Sequence, residues 1–173
     1  MKEERAMKKA RMLFLALLLG ASSAAEAAPV RQPSVNALGF MLGGPTGISF
    51  KHWFGGSDAF DVGVGAGPGL RLHADYLWGI AQLLSNTSDM HLDFYVGAGG
   101  VVGLGGHGWC GWYEGRGRCA NGAYLGARVP VGLDLGLRRA PVNFGFELAP
   151  GVAISSHRAG GLVDAFLFGR VRL

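Results

Sequence analysis

The residues of this chain that could do chemistry sit two apart. Arg71, His73 and Asp75 fall at every second position, and so do Arg170 and Arg172. Asp61, Asp93, Arg128, Asp134, Glu147 and Asp164 each stand alone among apolar or glycine neighbours, and Lys51 lies between Phe50 and His52. Spacing of two puts side chains on one face of a strand. The chemistry open to such a set is charge pairing. Five basic groups (Lys51, Arg71, Arg128, Arg170, Arg172) face six acidic ones (Asp61, Asp75, Asp93, Asp134, Glu147, Asp164). Charges held in a narrow interior must be paired, because an unpaired buried charge is very costly. The near balance therefore predicts an internal ion-pair network that acts as a plug.

Other chemistries find less support. A lipid deacylase of the barrel type needs His and Ser two apart on a strand with an acid to orient the His. Here Ser155, Ser156 and His157 are consecutive in a turn. His73 and Asp75 form a His–carboxylate pair with no serine on their strand, which points to a satisfied His in the network. His52, His91, His107 and His157 lie near strand ends or loops, where solvated positions are the default. The G-x-G overlaps from Gly97 to Gly106 lack the following helix and the lysine of a phosphate loop. No catalytic residues, metal site or cofactor are expected, and the chain is read as a non-enzyme.

Cys110 and Cys119, nine positions apart, read as a disulfide in an exported chain. The bridge would close about ten residues and contribute roughly 2.5–3 kcal/mol. Around them Trp109, Trp112, Tyr113, Arg116 and Arg118 make the 103–122 segment the most distinctive in the chain. Exposed aromatics and arginines are the material of binding hot spots. The plainer reading is a stiffened loop folded over the mouth of a barrel.

Export itself is read from residues 1–27. Lys2, Arg5, Lys8, Lys9 and Arg11 make a basic start, Met12 to Leu19 a short apolar run, and Ala25-Glu26-Ala27 an A-x-A cleavage site. Met7 is an alternative start. The apolar run is shorter than the roughly 20 residues that span a bilayer. Residues 28–173 then form one domain with 11 basic and nine acidic residues. A surplus of two, with no basic run beyond Arg138-Arg139, is no footprint for nucleic acid.

The elements that must position the charges are strands. Period-2 alternation predicts eight: Val35–Leu42, Thr46–Phe54, Ala59–Gly67, Leu70–Trp78, Leu92–Val102, Ala123–Leu137, Val142–Ala149 and Gly161–Leu173. Gly/Pro/Ser/Asp joints separate them, and two joints are longer, Gly79–His91 and Gly103–Gly122. In the last strand Val163, Ala165, Leu167, Gly169, Val171 and Leu173 share one face, with Asp164, Arg170 and Arg172 opposite.

Alternation does not say which face is inside. A soluble lipocalin-like barrel holding a hydrophobic ligand turns the apolar face inward, and an outer-membrane barrel reverses this. The polar face is mostly glycine with single charges, only one Lys follows the signal, and Trp53, Phe54, Tyr76 and Trp78 gather near strand ends as an interface favours. The expectation is an all-β fold, an eight-stranded antiparallel up-and-down transmembrane β-barrel. Glycines at 63, 65, 97, 99, 126, 132 and 145 are expected to make room for Arg71, Arg128 and Arg170.

The segments Pro45-Thr46-Gly47-Ile48-Ser49-Phe50-Lys51-His52-Trp53, Leu70 to Trp78, Arg128-Val129-Pro130-Val131-Gly132-Leu133 and Glu147-Leu148-Ala149-Pro150 resemble a family of small bacterial outer-membrane barrels of largely unknown function. The resemblance runs from about Leu38 to Leu173. It implies an eight-stranded barrel of the OmpA/OmpX-like type and supplies no catalytic residues. Leu173 stands where the common outer-membrane pattern ends in Phe, which implies weaker recognition by the assembly machinery. The leading functional expectation is a structural or interaction protein of the bacterial outer membrane, in contact with its lipid. An extracellular ligand or protein would meet it through the 103–122 loop. A narrow solute channel and a membrane-embedded lipid-modifying enzyme are the alternatives. Ligand, partner and oligomeric state are not encoded in any feature of the sequence.

Overall fold

The computed structural model describes residues 32–67, 69–84, 89–104, 122–156 and 158–173. The signal segment, Cys110, Cys119, Trp109, Trp112, Tyr113, Arg116 and Arg118 lie outside the described residues. The described chain is all β. Its strands are β1 (Gln32–Gly44), β2 (Thr46–Gly56), β3 (Asp58–Ala66), β4 (Leu70–Leu84), β5 (Met90–Leu104), β6 (Tyr124–Arg128), β7 (Val131–Leu137), β8 (Val142–Ser155) and β9 (Arg158–Arg172). All pair antiparallel in one sheet.

The pairing closes on itself. β1 bonds to β2 on one side and to β9 on the other, and β4 bonds to both β3 and β5. Every strand therefore has a neighbour on each side, which removes the free edges that make sheets aggregate. The ring is staggered. Following the register from Ser34 to Phe54, one step past the Trp53–Ala59 pair to Asp58, and on through Trp78, Val96, Val131, Leu148 and Ala165 leads back to β1 at Gly44, ten residues further along.

Two expectations about the strands change. The predicted sixth strand, Ala123–Leu137, is divided into β6 and β7 at Val129-Pro130. Pro130 has no N–H to give the ladder. The chain stays attached through carbonyls: Gly97 N–H donates to Pro130 O and Val129 N–H to Pro150 O, both at 2.8 Å. β6 and β7 consequently share the neighbours β5 and β8. Much of the long joint predicted at Gly79–His91 is strand, because β4 runs on to Leu84 and β5 begins at Met90. Register shifts at Gly79/Ala81 and Gln82/Leu84 interrupt the alternation there and hide it from a period-2 reading.

The enclosed face is the polar one. Lys51, Asp61, Asp75, Asp93, Arg128, Asp134, Glu147, Asp164 and Arg170 are all buried. The opposite face carries exposed Leu38, Phe40, Ile48, Leu125, Val152 and Leu167. Three small apolar clusters punctuate the interior: Val101, Tyr124, Ala153 and Leu162; Trp53, Ala59, Leu77 and Tyr95; Met41, Phe166 and Phe168. Trp53 is a correction. It was expected among the aromatics of a surface belt, yet it shares the parity of Ser49 and Lys51 and is 2% exposed. Phe166 and Phe168, on the charged face of the last strand, are likewise buried.

Candidate functional site: the enclosed charge network

Arg128 on β6 is the hub. Its Nε and Nη2 donate to Asp75 on β4 at 3.0 and 2.5 Å, Nη2 also reaches Glu147 on β8 at 2.9 Å, and Nη1 reaches Asp164 on β9 at 3.1 Å. One guanidinium thus ties three other strands to its own, using the fork geometry that lysine lacks. Arg71, at one rim and 14% exposed, donates to the other oxygen of Asp164. Arg170 on β9 donates to Asp61 Oδ2 at 2.5 Å and to Ser49 Oγ at 2.9 Å.

Lys51 donates to Asp134 at 3.0 Å, and its ammonium lies 3.9 Å from the centre of the Trp53 ring and 4.4 Å from that of Tyr95. Cation–π contact gives this desolvated charge a second source of stabilisation. The Tyr95 hydroxyl donates to Glu147 at 2.8 Å, and Asn143 Nδ2 to Asp134 at 2.8 Å.

Toward the end of the ring where β1 begins, the pattern changes. Asp93 was expected to meet an arginine. It accepts instead from Gln32 Nε2 at 2.6 Å and Gln82 Nε2 at 3.0 Å, with His91 Nε2 at 3.8 Å. Arg172 also departs from the expected network. It is half-buried, and its guanidinium donates to the carbonyls of Leu137 and Ala140, capping the β7–β8 turn. His73 stays inside, 3.6 Å from Asp61 and 4.0 Å from Asp75.

The inward glycines do a different job from the expected one. Five of them lie directly opposite a ring on the neighbouring strand: Gly63 opposite His73, Gly103 opposite Tyr124, Gly132 opposite Tyr95, Gly136 opposite His91 and Gly145 opposite Phe168. In each case a Cβ on the glycine would lie within 2.4 Å of a ring atom. The rings take the space the missing side chains would need. Of the predicted positions, only Gly99 makes room for a charged group, the carboxylate of Asp75. Gly132 lets Tyr95 lie where its hydroxyl reaches Glu147.

The neutral members Gln32, Ser49, Gln82 and Tyr95 were not singled out from the sequence. The signal for Ser49 and Tyr95 was there: each sits two positions from a charged inward residue, Lys51 and Asp93. Gln82 lies beyond a register shift, where parity fails. Among the described residues no group of three or more His, Cys, Asp or Glu side chains is placed to hold a metal ion. Comparison with protein-family models, with curated proteins and with solved structures finds no match for this chain.

Proposed function

We propose that this chain is an integral outer-membrane β-barrel protein of the small OmpA/OmpX-like kind, a membrane anchor with a closed, ion-paired interior and a structural or surface-interaction role. The observation that carries the reading is the inversion of the faces. A protein dissolved in water does not bury a network of full charges and leave Ile48, Leu125, Val152 and Leu167 each more than half exposed. In hydrocarbon the same arrangement is favourable, and closure of the ring satisfies the backbone.

The geometry suits a bilayer. Counting β6 and β7 as one interrupted strand gives eight, and eight strands with a ten-residue stagger tilt by roughly 40°. The apolar outward positions of β8, Val142 to Ile154, then rise about 30 Å, the thickness of a hydrocarbon core. Outward polar side chains collect at one corner near the β2–β3 turn. There His52 Nδ1 lies 2.7 Å from Asn36 Oδ1, and Tyr76 donates to Asp58 at 2.9 Å. Phe54 stacks on Tyr76, which meets Trp78 at a tilt, beside them, and aromatic residues favour a membrane–water boundary.

With an export signal at the N-terminus, the β2–β3 end faces the periplasm, and the opposite end, where β5 finishes and β6 begins, faces outward. A partner would meet the chain through its 103–122 segment. The experiment is fractionation of the mature chain. It should sediment with outer membranes, need detergent for extraction, show β circular dichroism and migrate differently on a gel when unheated. A monomer that stays in solution without detergent would overturn the reading and favour a soluble exported barrel.

A further inference from the structure

The outward face of β1 to β4 carries two features, one behind the other. Next to the β2–β3 turn is a polar corner. Asn36, His52, Phe60 and Tyr76 form one row across the four strands, and Asp58 opens β3 opposite Trp78. The Asp58 carboxylate accepts from the Tyr76 hydroxyl at 2.9 Å and from the Ser57 hydroxyl at 2.8 Å. Three rings meet beside it, Phe54 and Tyr76 with centroids 6.0 Å apart and Tyr76 and Trp78 with centroids 5.3 Å apart. Asp58 is half-buried, and among the described residues no Lys or Arg forms an ion pair with it.

Farther along the same strands lies a groove of about 350 Å³, walled by Leu38, Ile48, Phe50, Val62, Val64 and Leu72 and lined almost wholly by apolar surface. Leu38 follows Asn36 by two residues, and Phe50 precedes His52 by two, so the groove begins where the corner ends. Two residues of a strand tilted by roughly 40° rise about 5 Å along the axis of a barrel. Headgroups occupy about 5–8 Å on each side of the hydrocarbon.

We propose that corner and groove together are a binding site for one phospholipid whose headgroup carries an ammonium. The ammonium sits against the Asp58 carboxylate and the rings of Tyr76 and Trp78, and one acyl chain lies in the groove. A cation beside a carboxylate gains a charge-assisted hydrogen bond, and ring faces attract it further. An anionic headgroup would meet Asp58 with no described Lys or Arg on the corner to offset the repulsion. A larger groove of about 440 Å³, walled by Phe40, Leu133, Phe144 and Phe146, is flanked on its rim side by Val142 and Val171. It would take a chain without selecting a head. The site requires the outward face to lie in a bilayer, so it rests on the membrane barrel proposed for this chain.

The test is native mass spectrometry of the mature protein after reconstitution into liposomes of equal phosphatidylethanolamine and phosphatidylglycerol with identical acyl chains, followed by mild detergent extraction. Wild type should retain one lipid, with phosphatidylethanolamine enriched about two- to fivefold over phosphatidylglycerol, the ratio that one exposed cation contact supplies. Asp58→Asn should bring the two lipids to parity and still retain one. Val64→Trp, which fills the groove, should lose retained lipid of both kinds. An inserted wild-type protein that keeps no lipid, or keeps both equally, would overturn the site while leaving the membrane reading intact, as would an undiminished preference in Asp58→Asn. A chain that never enters the liposomes overturns the membrane reading and the site together. If neither variant folds, the wild-type ratio decides alone.

Discussion

Arg128 concentrates more of the network than any other side chain, with contacts to Asp75, Glu147 and Asp164 and almost no exposure. Removing it leaves Asp75 without its arginine and takes one partner each from Glu147, which keeps Tyr95, and Asp164, which keeps Arg71. Arg128→Ala should cost at least the roughly 3–5 kcal/mol of a broken buried pair, read as a lower urea midpoint for the detergent-solubilised protein. Arg139 offers the contrast. It pairs with Asp89 at 2.6 Å but is 82% exposed, so Arg139→Ala should change stability by about 1 kcal/mol or less. Equal losses from the two changes would mean that the enclosed charges are hydrated rather than locked. At this scale the sequence was informative about membership. Parity alone placed Lys51, Asp61, Asp75, Asp134 and Glu147 on the polar face of their strands, the face that the structure encloses. It could not assign partners, because Arg170 and Asp61 are 109 residues apart and meet only when the ring closes.

Between strands, the glycine–ring pairs are the feature that side-chain identity alone does not reveal. Gly132 and Tyr95 are inward residues on β7 and β5, and nothing in either segment marks them as opposite each other until the register is known. A methyl at Gly132 would stand 2.4 Å from the Tyr95 hydroxyl oxygen and 2.8 Å from the carbonyl of Phe146, which is backbone. The ring must then swing off Glu147. Gly132→Ala should destabilise by about 1–3 kcal/mol, as overpacking does. Because the two sites share one space, Gly132→Ala combined with Tyr95→Ala should cost less than the sum of the single changes. Additive losses in that double-mutant cycle would argue against the pairing. Pro130 is the other element-scale lesson. A proline inside an alternating run was visible in the sequence, yet the run was read as one strand because the inward parity of Arg128, Gly132 and Asp134 carries through the break.

For the whole molecule, the proposed barrel should be sealed. Rings over glycines, three apolar clusters and the bridged charges share the enclosed face among the described residues, and a barrel of the proposed size is only wide enough for side chains to fill. In a planar bilayer the purified protein should give no steady conductance, and large, regular single-channel steps would promote the narrow-channel alternative. The amino-acid sequence by itself determined that the chain forms short antiparallel strands with two chemically distinct faces, since an alternation of two is a local property of extended backbone. It also determined which charges share a face. Which face is enclosed was decided only by tertiary structure. Closing a sheet into a ring crowds side chains on the concave side, and the glycine-rich face is the one that fits there. The pairing of each charge was decided at the same level: the ten-residue stagger brings Arg128 level with Asp75, Glu147 and Asp164, a long-range relation that no local pattern contains.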